Sequence, residues 1–398
     1  MSQPLHAPLE IGFDYTRSLG PTLGRFMTGL ADRRILGSRS ADGRVHAPPF
    51  EFDPVTLDPP DELVPVGPEG TVTTWSWAPQ PLEGQPLAHP FAWALIRLDG
   101  ADTAMAGRAF SFVSAVDAIG AFPPVAESHV EMDGAWALYE AWVKILTGDA
   151  DIALAYGFGK SSAGELRRVL ALQLDPYLLA PLWPDSVSIA ALQARLGIEA
   201  GLWSEAQMAG VAARSRAAAV ANPRAQLSGE VPVEKLLGQP YVADPLRAHD
   251  CAPVGDGAAV VILATARRAR ELCQRPAWIT GFEHRIDSAA LGARDLTAVP
   301  SAAAAARAAG APGVEVAELH APFTHQEILL RGALGLGDGV RVNPSGGVLC
   351  GNPMFAAGLA RIGWAAQEIM SGRAGRALAH ATSGPALQQN LVCVMEAQ

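Results

Sequence analysis

Lysine is nearly absent from this 398-residue chain: Lys144, Lys160 and Lys235 are the only three, and Asp, Glu, Lys and Arg together reach only 18%. The formal net charge is -10 and no basic block interrupts it, which argues against a nucleic-acid partner. Cysteine is scarce as well. Cys251, Cys273, Cys350 and Cys393 contain no C-x-x-C pair, so zinc knuckles and dithiol redox motifs are excluded. No apolar run approaches the roughly 20 residues of a membrane span; the longest, Ala258 to Ala266, reads as a buried strand or helix. Met1 to Glu10 lacks the charged, apolar and small-residue order of a signal peptide. These absences read as a soluble, cytoplasmic protein. What is abundant is hydrophobic side chain, at 49%, enough for a sizeable core and against global disorder.

Composition shifts near residue 106. The first part is rich in Pro, Trp and short alternating runs. A helix is expected over Tyr15–Leu30. Asp42-Gly43 is a hairpin dipeptide between short extended segments. The five prolines between Ala47 and Pro60 suit a loop. Gly70–Trp77 and Phe91–Leu98 read as strands, and strands separated by turns point to a small β-barrel.

The remainder is rich in Ala and Gly and contains an internal repeat. Ile145–Ala155 recurs as Ile369–Ala379, with Ile, Gly, Ala, Ala, Leu and Ala kept in place. Gly134 and Gly358 open the preceding helices at the same offset of 224 positions. Each copy then enters a strand, Ile152–Phe158 or Arg376–Thr382. A helix, a glycine stop and a buried strand, found twice, imply a duplicated layered α/β domain. Within it, Asp133 is placed to cap a helix whose inner face is Ala135, Leu138, Tyr139, Trp142 and Leu146. Val211–Ala221 reads as a surface helix. Asp256-Gly257 reads as a turn into a buried strand ending at Leu263. Val316–His320 is extended, and a glycine-bracketed turn precedes a helix over Phe355–Met370. Cys251 and Cys393 read as core, and His325 as surface.

These residues resemble the thiolase superfamily, in particular the sterol-carrier and lipid-transfer thiolases, over roughly 107–398. The blocks that carry the resemblance are 149–158, Asp250 to Ala259, Glu318 to Phe323, Asn343-Pro-Ser-Gly346-Gly347 and Gly351 to Gly358. The first part resembles the OB-fold family that accompanies such thiolases, through Tyr15-Thr16-Arg17, Gly43-Arg44-Val45 and the strands near Trp75 and Trp93. Members often begin with a zinc ribbon. Here Arg39 and Asp42 stand where a Cys pair would sit, and structural zinc needs four such ligands. The ribbon reads as emptied and no metal is expected.

By resemblance, the substrate is a coenzyme A thioester, no cofactor is tightly bound, and the chain forms a homodimer or joins a related thiolase-like or OB-fold subunit. A thiolase uses a cysteine at a helix N-terminus, where the dipole favours the thiolate. Here that position is Glu131. The usual Gly-His-Pro loop reads Gly351-Asn352-Pro353, and the C-terminal cysteine loop reads His380 to Gly384. Only His320 stands where the family has a catalytic histidine. Its motif context favours function over a structural role. Asn352 reads equally as an oxyanion donor and as a turn residue. Glu131, Gly346 and Gly347 are candidate substrate contacts. Donors and a base without a nucleophile suit retro-aldol cleavage of a β-hydroxyacyl-CoA, of steroid or other lipid type. The rival reading is a non-catalytic acyl-CoA-binding or scaffold protein.

The expected domains are an unfinished OB-like barrel over 1–106 and, over 107–398, a thiolase-like domain without its first strand and helix. Only 24 residues separate Ala106 from Glu131, whereas one βαβ unit takes about 30. That count favours a deletion or shifted frame joining two neighbouring genes near Ala104–Arg108 over a fusion completed by a partner chain.

Overall fold

A computed structural model describes residues 20–50, 53, 56, 58–60, 62–78, 91–102, 128–163, 165–174, 179 and 182–397. The Tyr15-Thr16-Arg17 motif and the Ala104–Arg108 junction lie outside the described residues. The chain divides into two compact units, Met1–Thr71 with Arg97–Thr103, and Val72–Ile96 with Ala104–Gln398.

In the first unit, helix α1 (Gly20–Ala31) precedes strands β1 (Ile35–Arg39), β2 (Val45–His46) and β3 (Leu63–Val66). They form an antiparallel sheet in the order β2-β1-β3. The Asp42-Gly43 turn is present: Gly43 takes φ +89° and its N–H donates to the Ser40 carbonyl at 2.9 Å. Arg39 and Asp42 are both spent on that turn, Arg39 donating to the Gly43 carbonyl and Asp42 accepting from the Arg44 N–H. Val45, Ala47, Val66 and Ala101 make a small core. The two expected strands near Trp75 and Trp93 are β4 (Gly70–Ala78) and β5 (Phe91–Leu98), which pair with each other.

The second unit contains the repeat. Helix α2 (Gly134–Thr147) ends at Gly148, whose φ of +81° supplies the left-handed stop. Strand β6 (Ile152–Lys160) follows. Helices α3 (Ser186–Glu199) and α4 (Glu205–Ala218), the short strands β7 (Tyr241–Ala243) and β8 (Leu246–Arg247), and β9 (Val254–Ala264) come next. After β10 (Trp278–Ile286), helix α5 (Pro300–Ala308), β11 (Val316–Leu319), α6 (Thr324–Ala333), β12 (Arg341–Val342) and β13 (Asn352–Pro353) lead to helix α7 (Ala357–Met370), β14 (Arg376–Ser383) and β15 (Gln389–Glu396). One sheet runs β10-β15-β14-β11-β12 and the other β13-β9-β6. Helices α2 and α7 lie in a shared apolar core with the inner faces of both sheets, through Ala135, Leu138, Leu359, Ile362, Ala155, Ala379 and Cys393.

Four expectations are corrected here. Leu146 is exposed, because the last turn of α2 runs beyond the core that buries Leu138. The helix over Val211–Ala221 begins at Glu205 and is not a surface helix: Met208, Ala209, Val211 and Ala212 are buried. Its low amphipathic contrast comes from alanine serving on both faces. Asp256-Gly257 is not a turn but part of β9, paired with Lys160 and Gly159. The rest of β9 is half-buried on one face only, with Val260 and Ile262 exposed on the other. Cys393 sits in the core as expected, and burial pushes its thiol pKa up. Among the described residues no helix is long and apolar enough to cross a membrane.

Candidate active site

The candidate site gathers where β11, the end of β14 and the N-termini of α2 and α7 converge. All four residues of β11 are buried, so the strand delivers His320 at its end as a largely buried side chain. The His320 N–H donates to the His380 carbonyl at 3.1 Å, and its ring Nδ1 accepts from the Thr382 N–H at 3.5 Å. Burial, helped by the Arg361 guanidinium, pushes the His320 pKa down to about 3. The ring is therefore neutral near pH 7. With Nδ1 accepting, its proton resides on Nε2, which makes that nitrogen a donor.

A buried polar cluster braces that strand. Glu318 Oε2 accepts from Arg361 Nη1 at 2.7 Å and from the Ser345 hydroxyl at 2.8 Å, while Oε1 accepts from the Ser345 N–H at 2.9 Å. Arg361 Nη1 also reaches the Ser345 hydroxyl at 2.7 Å. Burial raises the Glu318 pKa despite the guanidinium. Asn343 Oδ1 accepts from the Leu319 N–H at 2.6 Å, and Nδ2 donates to Glu327 at 2.8 Å. Glu327 is in turn paired with Arg214. Every buried polar group in this chain of contacts has a partner, as low dielectric requires. Glu318, Asn343 and Ser345 lie in blocks that carry the family resemblance, but no bracing role was read for them from the sequence, and Arg361, Glu327 and Arg214 were not singled out. A glutamate inside the apolar run Val316–Leu319 and an arginine on the inner face of α7 were the available signals.

Gly346 and Gly347 form the tight turn expected of them, at φ +92° and +65°. A Cβ on Gly346 would lie 2.5 Å from the Ala219 Cβ, and one on Gly347 would lie 2.9 Å from the Asn343 side chain. The turn thus packs against Ala219 and Asn343, and its link to His320 runs through Ser345 and Glu318.

The helix ends are closed from within. Asp133 caps α2 as expected, its Oδ1 accepting from the Ala135 N–H at 2.9 Å. The same carboxylate also accepts from Gly358 N–H at 2.9 Å and Leu359 N–H at 2.8 Å at the start of α7. The Gly134 N–H donates to the Phe355 carbonyl at 2.7 Å. Burial raises the Asp133 pKa against the pull of those three N–H groups. Gly358 packs so close to Ala381 that an added Cβ would lie 2.6 Å from the alanine Cβ. That contact brings the paired helix ends beside Thr382 and, through it, His320.

Asn352 lies in β13, paired in parallel with Val254 of β9. Its Oδ1 is buried and has no hydrogen-bond partner among the described residues. Oδ1 is thus not consumed by the turn before Pro353. Two close approaches hold this loop: Cβ atoms on Gly157 and Gly159 would lie 2.4 Å from the Phe355 carbonyl and 2.1 Å from the Met354 carbonyl. Glu131 is exposed, next to Met132 at φ +85°. His325 is not at the surface. It is fully buried, with Nε2 3.1 Å from Gln193 Oε1 and its ring stacked on Trp203, because the first turn of α6 faces α3. Cys251 is half-buried, and burial pushes its pKa to about 12.

An acetyl-CoA acetyltransferase of Methanothermobacter thermautotrophicus is 32% identical over 267 residues, covering 60% of this chain and 70% of that protein. The chain belongs to the thiolase family. The thiolase relatives include a 17-hydroxy-3-oxo-4-pregnene-20-carboxyl-CoA lyase of Mycobacterium tuberculosis, 29% identical over 147 residues, which are 34% of this chain and 38% of the lyase. The fold of this thiolase-family chain is like that of a solved Ltp2-ChsH2(DUF35) aldolase, with a TM-score of 0.56 and 18% identity over 66% of this chain and 77% of that one. Residues 63–120 match a further family, the C-terminal OB-fold domain of ChsH2. The family resemblance read from the sequence is thereby borne out for both parts.

Proposed function

We propose that this thiolase-family chain acts on a coenzyme A thioester and cleaves a carbon–carbon bond by retro-aldol chemistry, with the Nε2–H of His320 and the amide of Asn352 as donors to the thioester oxygen. The observation that carries the reading is the combination at the paired helix ends. The nucleophile position holds Glu131, and the nearby helix N–H groups are already taken by Asp133. Thiolate chemistry there would lack both a sulfur and a free helix pole.

In the proposed step the hydroxyl of a β-hydroxyacyl-CoA loses its proton, the Cα–Cβ bond breaks, and its electron pair passes to the thioester as an enolate. The donors hold the enolate oxygen until carbon is reprotonated. A ring with a pKa near 3 is a poor base at neutral pH. Asp133 is committed to three N–H groups. Glu131, exposed two residues before it, is the carboxylate assigned to take the hydroxyl proton, and Gly346-Gly347 lines the acyl side. The lyase relative supports a bulky steroid or lipid acyl group. The repeated helix–strand order and the relatives support a duplicated thiolase-like layering over 107–398, after an OB-like part over 1–106, working with a thiolase-like or OB-fold subunit.

The test is release of a carbonyl product from a β-hydroxyacyl-CoA by the purified chain, with and without its partner subunit. Unchanged turnover in His320→Ala rejects the assigned role. A wild type that binds acyl-CoA without turning it over makes this a binding protein instead.

A further inference from the structure

His320 draws its hydrogen-bond partners from one strand. Strand β11 runs parallel to β14, and their ladder ends at the Leu319–His380 pair. Beyond that pair, the Thr382 N–H of β14 meets the ring Nδ1 of His320 at 3.5 Å rather than a backbone carbonyl. That distance is at the long limit of a hydrogen bond, so a small shift of β14 releases it. In a neutral imidazole one nitrogen accepts and the other carries the proton, and the partner decides which. The placement of Thr382 therefore sets where the His320 proton resides.

What holds Thr382 in place lies on the opposite face of the sheet. Val316, Ala379 and Ala381 face the core shared with α2 and α7, and alternation puts His320 on that face. Leu378 faces α5 and α6, and alternation puts His380 with it. His380 is fully buried, as is Asn390, which lies opposite Thr382 in the β14–β15 ladder. Asn390 Nδ2 donates to the Leu387 carbonyl at 2.7 Å and to the Ser301 hydroxyl at 2.7 Å. A carbonyl can only accept, so Leu387 fixes the orientation of the amide. Oδ1 then faces His380 Nε2 at 2.9 Å, and that nitrogen carries the His380 proton. His380 Nδ1 is buried with no partner among the described residues, so the ring is anchored through Nε2 alone. Ser301, in the first turn of α5, donates its hydroxyl to Asp287 at the end of β10. The Asp287 N–H in turn donates to the Gln388 carbonyl at 2.8 Å. One amide thus ties β14 to the β14–β15 turn and to the start of α5, with both N–H bonds and its oxygen used.

We propose that Asn390 is a positioning residue for His320. Acting through His380 and the backbone of β14, it keeps the Thr382 N–H on Nδ1 and so holds the ring proton on Nε2, the atom assigned above to the thioester oxygen. The catalytic consequence rests on that assignment; the tautomer does not. Asn390 and His380 act from the far face of the sheet, so neither is a catalytic residue. Without the amide, the buried Nε2–H of His380 and the Ser301 hydroxyl lose their common partner. The end of β14 then loses the tie that sets its height against β11, and the long Thr382 contact is the first to break.

Proton–nitrogen correlation spectra of the imidazole rings in the isotopically labelled full chain read the tautomer directly. Steady-state kinetics on a β-hydroxyacyl-CoA read its consequence. The wild type is expected to carry the His320 proton on Nε2. Asn390→Asp keeps the shape of the side chain but loses both N–H donors. It is expected to show both tautomers of His320 and a kcat lower by about 10–100-fold, with KM within about twofold. His380→Leu is expected to do the same. His380→Gln, whose amide can donate to Asn390 Oδ1, is expected to restore the tautomer and most of the rate. Should Asn390→Asp not fold, Ser301→Ala removes only the far anchor and is expected to shift tautomer and rate in the same direction by less. A network that merely stabilises the fold would lower the unfolding midpoint and leave the tautomer and the kcat of the folded chain unchanged; that result overturns the proposal. So does a wild type with its His320 proton on Nδ1. A tautomer shift in variants of a chain that shows no turnover supports the role of Asn390 and rejects only the retro-aldol reading.

Discussion

The carboxylate of Asp133, which opens α2, accepts the N–H of Leu359, which opens α7, at 2.8 Å. One side chain therefore caps two helices whose starts lie 224 positions apart. An N-cap contributes about 1–2 kcal/mol, so Asp133→Ala is expected to lower stability by about 2–4 kcal/mol in urea unfolding. Asp133→Asn should fall between. It keeps the oxygen that Ala135 and Leu359 use but sets an amide N–H₂ against the Gly358 N–H. Wild-type stability in Asp133→Ala would remove the double cap from the account.

Loss of either donor should act on the rate more than on binding. His320→Ala and Asn352→Ala are each expected to lower kcat by about 10²–10³-fold on a β-hydroxyacyl-CoA, with smaller changes in KM. Cys393→Ala and Cys251→Ser should leave turnover unchanged, because neither thiol takes part. A thiol-dependent rate would contradict the retro-aldol assignment.

The Asn352 loop depends on two glycines that cannot grow. Gly159→Ala would place a Cβ 2.1 Å from the Met354 carbonyl and Gly157→Ala one 2.4 Å from that of Phe355. Backbone has to move, at about 1–3 kcal/mol, and turnover should fall with it. Gly210, in α4 with nothing within 4 Å of its Cβ position, is the control. Gly210→Ala should be neutral or stabilising by up to about 1 kcal/mol.

Burial pushes the pKa of His320, His325 and His380 down to about 3, against about 6.5 in the unfolded chain. Below pH 6.5 the unfolded state takes up protons that the folded state refuses. The stability each neutral histidine confers is therefore complete above 6.5 and lost as pH falls toward 3. The buried carboxylates of Asp133, Glu318 and Glu327, with raised pKa values, work in the opposite direction, so the contrast is best read from one variant. His325→Gln should lose about 2 kcal/mol less than the wild type between pH 7 and pH 5. Parallel curves in denaturant titrations at the two pH values would contradict this. The rate should show no inflection near pH 6.5 from His320.

Much of the second unit was legible as a pattern. The repeat, the Gly148 stop, the Asp133 cap and the buried Cys393 all follow from spacing and residue type, which are local. What escaped was set by a neighbour that no spacing names. His325 looked superficial because its buried partners, Gln193 and Trp203, are far away in sequence. Glu318 and Arg361 are each unremarkable in one dimension and become a buried pair only when α7 crosses β11. The apolar run of β9 could not reveal that only one of its faces is roofed. Glu131 and Asn352 were legible as departures from a family pattern, while the closure of both helix ends by a single carboxylate required the fold.

Leu154 and Leu378 occupy equivalent places in the repeat but live under different rules of substitution. A polar residue is tolerable at 154, where water already reaches the side chain, and ruinous at 378, beneath α5. The two copies are thus free to drift apart on one side of their sheets while remaining bound to each other's shape on the other. Sequence divergence between them should concentrate on the outer positions of β6 and β9 and spare the alanines that both inner faces share.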